Sequence, residues 1–137
     1  MSESGNISYT LGALTVKGST TINGTMNLNE VRLNRSSITQ GSSLTTAVTL
    51  NSPAGFISTY SAGTLLTTNG SASFTVNNSY VSSDSIILSN IVNFSGGGAP
   101  SVRVGSVADG SFSVVLRNGD WITPLSGGSV KIGFSIL

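Results

Sequence analysis

Apolar and polar side chains alternate along much of this 137-residue chain. The clearest run is 110–118. Phe112, Val114 and Leu116 fall on one side, and Ser113, Val115 and Arg117 on the other. A period of two is that of a strand with one buried face. Asp109-Gly110 and Asn118-Gly119 bracket it as turns, since glycine and asparagine tolerate the backbone that tight turns need. The last stretch repeats the pattern: Val130, Ile132, Phe134 and Ile136 alternate with Lys131, Gly133 and Ser135.

Shorter runs fill the rest of residues 35–137. Strands are predicted over 37–40, 44–50, 56–60, 71–77, 85–94, 101–107, 111–117 and 129–137. In the second, Leu44, Val48 and Leu50 share a face opposite Thr45, Ala47 and Thr49. Residues 51–55 read as a turn, Asn69-Gly70 as a hairpin signal, and Gly96-Gly97-Gly98 as a mobile surface loop. About eight short strands with turns every 8–12 residues are the pattern of a sandwich or jelly roll. No stretch holds a helical period, so almost no helix is expected. The fold class predicted is all-β: an antiparallel, jelly-roll-like β-sandwich head.

Residues 1–34 differ. Residues 1–13 read as a polar lead-in. Over 14–34, Val16, Ile22 and Leu28 recur at six-residue spacing, each followed by a turn-like pair. Such a unit cannot bury its own apolar side, but stacked units or intertwined chains can. A plain hairpin packed on the main domain is the other reading. The chain thus divides into a lead-in with a short β-repeat stem, 1–34, and a β head, 35–137.

Composition narrows the function classes. Charged residues are 8% of the chain and the net charge is +1, against an ordinary charged share of about a quarter. Six scattered Lys and Arg make no basic stripe, which argues against nucleic acid as a partner. The chain has no Cys and no His, which removes disulfides, thiolate and imidazole chemistry and most zinc or iron sites. No cofactor or metal is expected, and stability is expected to come from oligomerisation. No window approaches the ~20 apolar residues of a membrane span, and residues 1–10 lack the basic start and apolar run of a signal peptide.

No constellation points to an enzyme. Asp84, Asp109 and Asp120 sit where turns and loops need them, not as a pair across one bond. No serine has a histidine to activate it. The glycine run lacks the Lys-Ser/Thr and helix start of a phosphate loop. Asn-x-Ser matches at Asn34, Asn77 and Asn93 are expected by chance in so Asn- and Ser-rich a chain. Trp121, the single Trp, stands beside Asp120 and near Asn118. An aromatic ring with polar neighbours can stack on a sugar face while they hold its hydroxyls. The alternative is a ring that closes the sandwich or plugs a subunit interface, and the usual burial of large rings favours it. Tyr60 and Tyr80 carry the same two readings.

Residues 45–51, 74–79 with 84–88, 107–112 running to 116–118, and the closing 130–136 together resemble the C-terminal head domains of tail-fibre, head-fibre and related virion proteins of bacteriophages and large DNA viruses. The segments 14–18 and 21–25 look like the shaft repeats that precede such heads. The resemblance implies a homotrimer of β-sandwich heads on an intertwined stem. The stem would join other virion proteins, and the head would meet a host-surface glycan. It implies a protein made in the host cytoplasm and carried on the virion, and it supplies no catalytic motif. A carbohydrate-binding module without a virion role and a capsid decoration protein are the alternatives.

Overall fold

A computed structural model describes residues 15–137. The lead-in expected over 1–13, and Leu14, lie outside them. The chain divides into two units, Met1–Val31 and Arg32–Leu137. Residues 15–34 form no strand and are exposed throughout. Their apolar side chains Val16, Ile22, Met26, Leu28, Val31 and Leu33 all lie in water.

The second unit is all-β, with no helix among the described residues. One four-stranded sheet has the order β1 (Arg35–Thr39), β3 (Ala54–Ser58), β10 (Lys131–Ile136), β6 (Ile87–Asn93). A second has the order β2 (Val48–Thr49), β5 (Ser71–Asn77), β8 (Ser111–Asn118), β7 (Pro100–Ala108). Two short strands, β4 (Thr64–Leu66) and β9 (Leu125–Ser126), pair with each other. Both four-stranded sheets contribute to one core: Ile57, Ile132 and Phe134 from the first, Phe74, Val76, Phe112, Val114 and Leu116 from the second. The rings of Phe112 and Phe134 meet at 5.4 Å, tilted by 57°, an arrangement that the ring quadrupoles favour.

Alternation accounts for β5, β8 and β10. Their inward residues are mostly buried, with Ile136 half-buried, and the expected faces are correct, although Gly133 on the outward side of β10 is buried too. Four expectations need correction. The pairing is not wholly antiparallel: β1 pairs with β3, and β2 with β5, in parallel. The long connections 40–53 and 50–70 allow this, because parallel neighbours need a crossover of about a dozen residues. Asn69-Gly70 does not close a hairpin: it links β4 and β5, which belong to different sheets. Residues 44–50 pair only at Val48–Thr49, although Leu44, Val48 and Leu50 are buried as expected. Gly96–Gly98 is no free loop. Gly97 and Ser126 exchange backbone hydrogen bonds of 2.9 and 3.1 Å. Gly98, at φ 94°, leaves no room for a Cβ against Leu125.

The register fixes two ends. The chain enters β1 at Arg35, level with Ala54 of β3 and Ser135 of β10. Asn34 is tied there by the Ser52 hydroxyl at 3.1 Å, and the Asn78 amide donates to the Ser52 carbonyl at 2.8 Å. β1 and β3 run from that end towards Lys131, the start of β10. The loop 119–130 therefore lies at the end of the head opposite the one where the chain enters.

Candidate functional site

Asn118 organises the far end. It continues the inward register of Phe112, Val114 and Leu116 and is fully buried. Its amide nitrogen donates to the carbonyls of Thr67 (3.1 Å) and Thr123 (2.9 Å). Its amide oxygen accepts from the backbone N–H groups of Ala99 (3.0 Å) and Asp120 (3.1 Å). Four partners satisfy a primary amide, so one side chain holds the segments before β5 and β7 and both sides of the loop. Two backbone bonds add to it: Asn69 N–H donates to the Asp120 carbonyl at 2.8 Å, and Gly119 N–H to the Ala99 carbonyl at 2.8 Å.

Asp120 caps the turn that follows. One carboxylate oxygen accepts from Ile122 N–H at 2.8 Å and Thr123 N–H at 2.9 Å. The Thr123 bond first, then that of Ile122, holds the Asp120 carboxyl below the usual aspartate range, since both favour the charged form. Between these anchored residues the chain presents Trp121, 74% exposed, and Ile122, 88% exposed. Trp121 is thus not packed within its own chain, against the burial that its size leads one to expect. The loop's own backbone explains it: the anchors are Asn118, Asp120 and, beyond them, the fully buried Leu125, so the two residues between are turned outward.

The five residues singled out in the sequence do not form one site. Asp120 and Trp121 are adjacent at the far end. Asn118 is there too, but buried with its amide engaged four times, so it positions the loop and has no free group for a ligand. Tyr60 is half-buried at the same end. Its backbone N–H donates to the buried Gln40 at 3.2 Å, and Tyr60 lines an open, mostly apolar depression of about 320 Å³ with Leu44, Leu65, Leu66 and Ala72. Tyr80 is exposed at the opposite end, next to Asn78. Sequence reasoning missed Ile122, which is more exposed than Trp121. The Asp-x-x-Thr cap around it was the available signal. Among the described residues no group of His, Cys, Asp or Glu is placed to hold a metal.

No family model, curated protein or solved structure matches this chain.

Proposed function

We propose that this chain is a structural virion protein: a trimeric, jelly-roll-like β-sandwich head on an intertwined stem, with its far end turned to the host surface. One observation carries the reading. Trp121 and Ile122 are held out into water by a loop fastened through Asn118 and Asp120, at the end of the head away from where the chain enters. An apolar pair fixed in this way is pre-ordered for contact, and loses little freedom on binding. The succession of strands supports a reduced jelly roll, since β3, β5, β6 and β7 alternate between two sheets that share one core, β8 pairs with β7, and β10 returns to the first sheet. The bare apolar side chains of residues 15–34 support a stem that other copies cover. Three copies of a weak ring-stacking site would bind a multivalent surface by avidity.

The test uses the purified full chain. Light scattering after size exclusion is expected to give the mass of a trimer. On a glycan array the wild type is expected to bind and Trp121→Ala to lose that binding with an unchanged melting temperature. A monodisperse monomer that still binds through Trp121 would instead mark a free carbohydrate-binding module. A trimer whose array profile Trp121→Ala leaves intact would remove the far-end loop from attachment.

A further inference from the structure

The outer faces of the two four-stranded sheets have opposite chemistry. On β5 and β8 the outward positions are Ser71, Ser73, Thr75, Asn77, Ser113 and Arg117, a wet face. Val115 is the apolar member of that face, and it is only half-exposed. On β6, β10 and the residues flanking them the outward positions run Ile86, Leu88, Asn90 and Val92 beside Lys131, Gly133, Ser135 and Leu137, and the Lys131 ammonium lies 4.6 Å over the Phe56 ring. Ile86 is 62%, Leu88 55%, Val92 46% and Leu137 69% exposed. Gly133 lies in the middle of the face, close under Val92, Asn90 and Phe56. A strand that is apolar on both faces is the signature of a sheet covered on both sides.

The edges agree. Natural edge strands are protected by charge, proline, irregularity or shortness. β7 carries Pro100, Arg103 and a register shift after Val104. β2 is two residues long, and β1 carries Arg35. β6, Ile-Leu-Ser-Asn-Ile-Val-Asn, carries no charge and no proline along seven residues, and its one irregularity, a register shift at Val92, lies at its far end.

We infer that the outer face of the β1-β3-β10-β6 sheet, centred on Leu88 and Val92, is the surface on which copies of this chain meet. The inference rests on the trimer proposed above and names its contact surface. Area is the first reason for a second copy. The four exposed side chains leave roughly 400 Å² of apolar surface in water, the scale at which a patch marks an interaction site. It is less than the about 800 Å² per partner of a stable interface, so a contact shared with the apolar stem residues is what the chain can supply. Charge is the second. Arg35 lies on the β1 edge and Asp84 just before β6, at the entry end on opposite edges of this sheet. Rotation about an axis along the strands brings the β1 edge of one copy towards the β6 edge of the next, and these two charges with it.

The experiment compares three full-length proteins by light scattering and thermal melting. Leu88→Lys/Val92→Lys places two charges on exposed positions of this face, and Thr75→Lys places one on the exposed outer face of the other sheet. The wild type and Thr75→Lys are expected to be trimers. The double variant is expected to associate at least about 100-fold more weakly, because an unpaired buried charge is strongly destabilising. Leu137→Lys, at the last residue and outside β10, gives the same readout should the double variant misfold. A trimeric wild type whose face variants stay trimeric with unchanged melting would overturn this inference and leave the trimer standing. A monomeric wild type would overturn the trimer itself. A monomer destabilised by Leu88→Lys/Val92→Lys would give the face to another occupant, such as the chain's own first 34 residues, and would also overturn the inference.

Discussion

The two ends of the head are closed by the same device and present different things. At the entry end Asn78 continues the inward register of Phe74 and Val76. At the far end Asn118 continues that of Phe112, Val114 and Leu116. Both asparagines are buried, and each is followed within three residues by an exposed aromatic, Tyr80 or Trp121. The difference is in the number of bonds. Asn78 donates to Ser52 and accepts from Tyr80 N–H. Asn118 makes four bonds to four separate residues. A strand that ends on a buried amide instead of an apolar residue can fasten whatever loop follows. The more partners the amide has, the more firmly the aromatic beyond it is held.

Removing each amide should separate the ends most widely. Asn118→Ala strands two carbonyls and two N–H groups, and should cost about 3 kcal/mol. Asn78→Ala strands one of each and should cost about 1–2 kcal/mol. Denaturant unfolding of both variants at one temperature checks the order. Equal losses would break the comparison, because they would mean that water replaces the extra partners of Asn118 without cost.

These hubs also mark the limit of what the sequence discloses. Alternation finds β5, β8 and β10 because each has one wet face, and it places Leu44, Val48 and Leu50 correctly even where few residues pair. It misses β4 and β9, which at three and two residues are too short to show a period. It reads the glycines at 96–98 as slack, whereas here they allow the backbone to approach Ser126 and Leu125 closely, and a run of glycine serves either purpose. Asn118 reads as a candidate ligand group because an asparagine beside a turn looks exposed. Its parity with Phe112, Val114 and Leu116 was the contrary signal. The exposure of Trp121 could not be read from its type, since large rings are mostly buried and only the anchors on either side turn this one outward.

The aromatics give a smaller, sharper contrast. Trp121→Ala and Tyr80→Ala each remove a ring that lies in water, so each should change stability by no more than about 0.5 kcal/mol. Glycan-array binding should fall for Trp121→Ala and stay unchanged for Tyr80→Ala. A large drop in melting temperature for Trp121→Ala in the proposed trimer would mean that neighbouring copies bury the ring, and would replace the proposed attachment surface with a contact between subunits.

The smallest effect expected is a local one, at acid pH. Asp120 holds the turn that displays Trp121 by accepting from Thr123 and Ile122 N–H, and its carboxyl is lowered in the folded protein by those bonds. A carboxyl lowered on folding contributes stability that is fully present above its unfolded value and is lost as pH falls through the folded value. The turn should therefore be unaffected at neutral and mildly acid pH and loosen only below the ordinary aspartate range. Both bonds are exposed to solvent, so the loss should be confined to the turn and leave the core folded. Trp121 is the chain's single tryptophan and sits next to Asp120, so its fluorescence anisotropy reports the loosening directly. Anisotropy should drop at low pH while the far-ultraviolet circular dichroism of the strands holds. In Asp120→Asn the side-chain oxygen still accepts both N–H groups but no longer titrates, so the drop should disappear. A drop that persists in Asp120→Asn would assign the low-pH change to another carboxyl and leave the hold on Trp121 to Asn118 alone.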